Sequence, residues 1–262
     1  MLFRSVASQG EVILTSDADC RIKPQWIETM VSYFTPEVGM VVGFSQLGTK
    51  NDRRSIFEKL QAVDFLALLA GAQGSINVNF PLAATGQNLG YRKIAYEQVD
   101  GFKDIGHRVS GDDVLLLQLV HKRTDWKIRF AASAASFNYS LPEKNFKGLI
   151  NQRKRWASNG SYQLKLNKVF FIIVANTFLL SLLILVSLPM IFLKNSFFSI
   201  FLCCVSYKLL IEFIILLKGA SIYNRSDLIK YFPLWAIVQI PYIVFVGAMG
   251  NISKFVWKGR RN

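Results

Sequence analysis

Cysteine and histidine are scarce in this chain, with three of the first and two of the second in 262 residues. Cys203 and Cys204 are adjacent in an apolar run and make poor disulfide partners, and with Cys20 they form no metal-ligand spacing. A disulfide framework and a thiolate–imidazole metal site are thereby excluded, and a reduced, cytosolic setting fits. His107 and His121 have no ligand partner at a useful spacing and read as surface or packing residues. Acidic residues are also short, 17 against 31 Lys and Arg, for a net charge of +14. The deficit deepens along the chain: residues 1–168 carry 15 acids and 22 bases, residues 169–262 two and nine. No signal-peptide pattern opens the chain, because Met1-Leu2-Phe3-Arg4-Ser5 runs into polar sequence.

Apolar residues are plentiful, at 52% of the chain and a mean hydropathy of +0.29, and they collect in the last third. Val169–Leu193 is a 25-residue stretch without a charge, long enough to cross a hydrocarbon core of about 30 Å. Ser196–Leu217 is a second candidate span, in which Lys208 and Glu212 lie four apart on one helix face and can neutralise each other. Phe232–Ile252 is a third, with Pro241 tolerable if neighbouring helices satisfy the freed carbonyl. Ahead of them, residues 143–168 hold seven Lys or Arg and one acid, interleaved with Phe146, Leu149, Ile150, Trp156, Leu164 and Leu166. That composition predicts an amphipathic helix lying in the membrane interface. Three spans would put Lys254, Lys258, Arg260 and Arg261 on the far side of the membrane, against the positive-inside tendency. A re-entrant or interfacial course for the Lys208 segment would relieve that conflict. The first half has no basic stripe with interleaved aromatics, which argues against nucleic acid, and charges within the spans are too few for a transporter.

The first half alternates strand-like and helix-like segments, the pattern of an α/β domain. Residues 1–10 read as the tail of a helix, and 12–16 as a buried strand around Val12-Ile13-Leu14. Pro24 opens a predicted helix over 24–35, with Trp26, Ile27, Met30, Val31 and Phe34 on its inner face. A buried strand over 39–44, a long helix over 52–73, a loop over 74–84 and a strand over 127–131 follow.

Three stretches in this half carry candidate chemistry. Asp17 and Asp19, one residue apart just past a strand end, can share a hard divalent cation, Mg²⁺ or Mn²⁺, whose shell substrate phosphates would complete. The alternative is an Asx turn capping the next helix. In Thr85-Gly86-Gln87-Asn88-Leu89-Gly90-Tyr91-Arg92-Lys93 the glycines allow close backbone approach, Asn88 offers donors and an acceptor, and Arg92 and Lys93 could meet phosphate. The alternative is a plain turn into a strand. Asp112 and Asp113 stand at a helix start, where the helix dipole favours the carboxylate that a general base requires, with N-capping by Ser110 or Asp112 as the structural alternative.

Taken in order, the Asp17-Ala18-Asp19 triplet, the Gly86–Arg92 loop, Gly111-Asp112-Asp113 and Gln152-Arg153-Lys154-Arg155-Trp156 resemble family 2 glycosyltransferases. The likeness is to the membrane-integrated branch that includes cellulose, hyaluronan and poly-N-acetylglucosamine synthases and ceramide glucosyltransferases. It implies a partial GT-A domain, Rossmann-like and lacking its first strands, over 1–142, the interfacial segment over 143–168 and a transmembrane region over 169–262. It further implies an inverting transferase in the cell's inner membrane, catalytic part cytosolic, moving sugar from a nucleotide-diphospho sugar (a UDP-sugar foremost) to a lipid or growing glycan. Under the resemblance, Asp17 and Asp19 correspond to the DxD that holds metal and donor. Asn88, Gln152 and Trp156 fall on the acceptor side, Arg155 faces the diphosphate, and Asp113, beside Asp112, is the base. The opening strand and Pro-x-x-Asn-Glu-like segment that the family carries before its DxD have no counterpart ahead of Asp17. The resemblance therefore implies a truncated start, and the competing expectation is a membrane-anchored remnant that no longer binds nucleotide.

Overall fold

A computed structural model describes residues 7–104, 111–158, 164–250, 256–257 and 260–261. Residues 1–6, His107, Ser110, Lys254 and Lys258 lie outside the described residues. In chain order the elements are β1 (Val12–Thr15), α1 (Trp26–Ser32), β2 (Val38–Gly43), β3 (Ser45–Leu47), α2 (Ile56–Asn77) and β4 (Leu89–Arg92). Then come α3 (Lys93–Gln98), α4 (Asp112–Arg123), β5 (Lys127–Ala131), β6 (Asn138–Ser140) and α5 (Phe146–Ala157). Three long helices follow: α6 (Lys168–Met190), α7 (Ser196–Ile222) and α8 (Phe232–Gly250).

The main sheet has the order β1-β4-β2-β5, with β4 antiparallel to both its neighbours and β2 parallel to β5. Strand β2 is buried along its whole length, as its apolar run requires. Strand β1 is not: only Ile13 is buried, because in this sheet β1 has a neighbour on one side only. Below the sheet ends, β3 pairs in parallel with β6. The α/β class expected from the sequence holds, and the small mixed sheet followed by apolar helices is consistent with a partial GT-A domain ahead of a membrane region.

Local chemistry explains where the helix ends differ from the periodicity. Helix α1 is shorter than predicted because Pro24 sits in a turn, closed by the Trp26 N–H donating to the Lys23 carbonyl at 3.0 Å. Its inner face is Trp26 and Met30, while Ile27 and Val31 are exposed. Helix α2 starts at Ile56 because Ser55 and Glu58 form a reciprocal capping box, and it continues to Asn77, so the loop begins later than expected. Helix α4 is not capped by Asp112: its N-cap is Gly111, in the left-handed region at φ 83°, a conformation that costs glycine little.

Helices α6 and α7, and α8 with the 3₁₀ turn before it, are long and apolar enough to cross a membrane. Helix α7 runs its 27 residues without a break, and Lys208 within it is paired with Glu212 and donates to Gln239 Oε1 of α8 at 2.8 Å. These helices do not hang from the sheet by a tether. One hydrophobic cluster contains Met40, Val42 and Phe44 of the sheet region together with Leu216, Ala220, Tyr223, Leu228 and Trp235. Tyr223 stacks on Phe44 with ring centroids 3.6 Å apart, and its hydroxyl donates to Gln73 Oε1 at 2.6 Å. Arg225, fully buried, pairs with Asp227 and donates to the Gly48 carbonyl at 3.3 Å. Tyr223→Ala is expected to cost about 3–5 kcal/mol, the usual loss for an aromatic removed from a core. Tyr223→Phe keeps the stack and should lose only about 1 kcal/mol. Thermal unfolding of the purified protein in one detergent checks both, and equal midpoints for the two variants would refute the stacking argument.

Candidate active site

The site forms where four loop-borne segments meet at one end of the sheet. Strand β1 delivers Asp17 and Asp19 into an exposed turn closed by the Cys20 N–H on the Asp17 carbonyl at 3.0 Å. The Thr15 hydroxyl ties that strand end to the second segment, donating to the Gly86 carbonyl at 3.1 Å. The Gly86 N–H in turn donates to Asp113 Oδ2 at 2.7 Å, so the loop and the start of α4 are fixed to each other. Asp113 Oδ1 accepts from the Val114 N–H at 2.8 Å. The fourth segment, α5, contributes Arg155, whose guanidinium is within electrostatic reach of Asp113, Asp112, Asp17 and Glu143.

Several carboxylates act on one guanidinium here. Burial pulls the Arg155 pKa down, and the four carboxylates pull it back up. Asp113 is pushed up to about 6, first by burial and then by the neighbouring charge of Asp112, against the opposing backbone N–H groups of Val114 and Gly86. Such a carboxyl is ionised at neutral pH yet basic enough to accept a proton. The Cys20 thiol, beside Ser140 and the two early aspartates, is raised by burial and so is not a thiolate nucleophile.

Asp17, Asp112, Asp113 and Arg155 are thus brought together. Gln152 donates to Glu143 Oε1 at 3.3 Å, which places it on the same side of α5. Trp156 is half-buried, against Phe65 at 6.2 Å between ring centroids and under Arg153 at 4.1 Å. Asn88 is placed otherwise. It is fully buried, its Nδ2 donates to the carbonyls of Phe44 (2.9 Å) and Ser136 (2.8 Å), and its Oδ1 accepts from Trp26 Nε1 (3.0 Å). It holds the loop from behind, and a Cβ at Gly43 would collide with it. Arg92 and Lys93 also turn away: Arg92 pairs with Glu11 and donates to the Val38 carbonyl at 3.0 Å, and Lys93 donates to the Ser8 carbonyl at 3.0 Å. Arg92 thereby ties β4 to β2, and Lys93 holds the segment before β1, at the opposite end of the sheet from the aspartates.

Glu143 escaped the sequence reading. Its backbone is held on both sides by Gln61, which accepts from its N–H at 2.9 Å and donates to its carbonyl at 2.9 Å. The signal was there, since Glu143 is the lone acid opening a basic segment.

Among the described residues no three His, Cys, Asp or Glu side chains gather closely enough to hold a metal by themselves. Two exposed carboxylates, Asp17 and Asp19, suit a hard cation that keeps waters and takes its other ligands from a substrate's phosphates, as Mg²⁺ commonly does.

With this geometry in view, the model of glycosyl transferase family 21 matches residues 2–261 of the chain. No curated protein matches it. The Asp113 carboxyl is expected to titrate near pH 6, and Asp112→Asn to lower that midpoint by removing a neighbouring negative charge. Isotope-edited infrared spectroscopy of the aspartate carboxyl stretch reads both, and a midpoint indifferent to Asp112→Asn would contradict the assignment.

Proposed function

The chain belongs to glycosyl transferase family 21, and from that premise we propose that it moves a sugar from a nucleotide-diphospho sugar to a lipid or growing glycan acceptor at the membrane surface. The observation that carries this reading is the electrostatic contact of Arg155 with Asp113, Asp112 and Asp17, residues far apart in the chain. Asp113 accepts the proton of the acceptor hydroxyl as that oxygen attacks the anomeric carbon. The bond to the donor diphosphate breaks on the opposite face, which inverts the configuration. Arg155 donates to the diphosphate oxygens as negative charge builds on them, the type of preorganised stabilisation that lowers such barriers most.

Asp17 and Asp19 would hold Mg²⁺ or Mn²⁺, which supplies further positive charge to the leaving diphosphate. Gln152 and Trp156 line the acceptor side in this reading, and Asn88 supports the loop. The likeness of the four motifs to membrane-integrated family 2 enzymes supports a UDP-sugar donor, a multi-pass placement in the inner membrane and a cytosolic site. Helices long enough to span a bilayer, packed directly on the catalytic sheet, support an acceptor presented at the interface.

Membranes containing the protein, supplied with a panel of nucleotide-diphospho sugars, should release nucleoside diphosphate from one of them. Asp113→Asn should lower that rate by about 10²–10⁴-fold, the usual worth of a general base. Release equal in wild type and Asp113→Asn would instead favour a non-catalytic remnant. The wild-type rate should fall as pH drops through about 6, since protonated Asp113 is no longer a base, and Asp112→Asn should move that limb to lower pH. Chelation of divalent ions should abolish activity, with Mg²⁺ or Mn²⁺ restoring it; full activity in chelator would remove the metal from the scheme.

A further inference from the structure

Helix α5 has two working faces. Arg155 and Arg153 are two residues apart, about 200° around a helix, so the face that carries Arg155 into the catalytic hollow leaves Arg153 pointing the other way. On that second face Arg153 is buried, pairs with Asp64 of α2 at 2.7 Å and lies over the Trp156 ring. It lines a cavity of about 390 Å³ enclosed by α2, α5 and α8. That size falls within the range of about 300–1,000 Å³ typical of small-molecule sites.

The cavity walls are apolar, formed by Leu60, Leu149, Ile150, Trp235, Val238 and Phe245 among others. Its polar lining is Gln61, Asp64, Arg153, Gln239 and Tyr242. The Arg153 guanidinium reaches the Tyr242 hydroxyl oxygen, but among the described residues neither the Arg153 Nε–H nor the Tyr242 O–H finds an acceptor. A buried donor left unpaired costs on the order of 1–3 kcal/mol, so both call for an acceptor oxygen from outside the protein. Water would satisfy them but not the apolar walls. At the rim, Phe146, Val238 and Phe245 are exposed apolar residues, and two of these belong to a helix able to span the bilayer. A rim of this kind suits an opening toward hydrocarbon, and the Lys154 ammonium, 5.8 Å from the centre of the Phe245 ring, suits a neighbouring headgroup.

We propose that this cavity is a binding site for a resident acyl lipid of the bilayer, its aliphatic chain between α2, α5 and α8 and its ester carbonyl accepting from Arg153 and Tyr242. The occupant is bound and not transformed, and it braces α5 from the side opposite Arg155. Through Arg153 the site adjoins Trp156, but it does not rest on the transfer reaction.

The test is photolabelling of the full chain, reconstituted in nanodiscs, with a phosphatidylcholine carrying a diazirine in one acyl chain. This lipid has no hydroxyl that could accept a sugar, so labelling reads binding alone. Peptide mapping should place an excess of adducts on 57–64, 146–153 and 235–245. Val238→Trp, a substitution at the exposed rim that should fold normally, should reduce that excess to the level of the outer surfaces of α6 and α7. Tyr242→Phe should reduce it about two- to tenfold, the worth of one hydrogen bond. Asp113→Asn should leave it unchanged. Even labelling along all lipid-facing helices, or an excess that survives Val238→Trp, would overturn the proposal, whatever the transferase assays report.

Discussion

The burial of Tyr223 against Phe44 fixes the mixed sheet to the long apolar helices, and the rest of the architecture depends on that contact. A domain joined to a membrane region by a linker alone would be free to tilt over the bilayer, because few contacts would cross the boundary. Here the end of α7 enters the same apolar cluster that covers β2. Desolvated apolar surface gives the attachment its strength, at roughly 25 cal/mol per Å² buried. Directional partners give it an orientation: Gln73 for the Tyr223 hydroxyl, and Asp227 with the Gly48 carbonyl for Arg225. The height and angle of the sheet's loop end relative to the spans follow from this packing.

A second consequence concerns charge. The loops at that end gather Asp17, Asp112, Asp113 and Glu143 around the Arg155 guanidinium. Burial first, and the neighbouring charge of Asp112 second, make Asp113 hold its proton more tightly than a solvated aspartate does.

Helix α5 links the two halves of this arrangement. Its basic residues divide between faces: Arg155 turns to Asp113 and the acids near it, while Arg153 turns to Asp64 and α8. Any shift of α5 along α8 therefore moves Arg155 relative to Asp113. Buried ion pairs contribute little net stability against well-packed apolar residues, but breaking one is costly, which suits a contact whose effect is to define position.

Much of this was legible in the amino-acid sequence. Long, sparsely charged apolar runs marked the three long helices, short apolar runs marked β1 and β2, and the order of the four polar motifs marked the candidate site segments, because those features are set by local composition and period. The sequence could not say that Asn88 is walled in, since its neighbours Trp26, Phe44 and Ser136 arrive from three other elements. Nor could it assign Arg92 and Lys93 to the far end of the sheet, which follows from β4 running antiparallel between β1 and β2. The membership of Glu143, and the opposite duties of Arg153 and Arg155, were likewise decided by packing. Periodicity specifies which residues share a face of one element; only the docking of elements against one another specifies what that face meets.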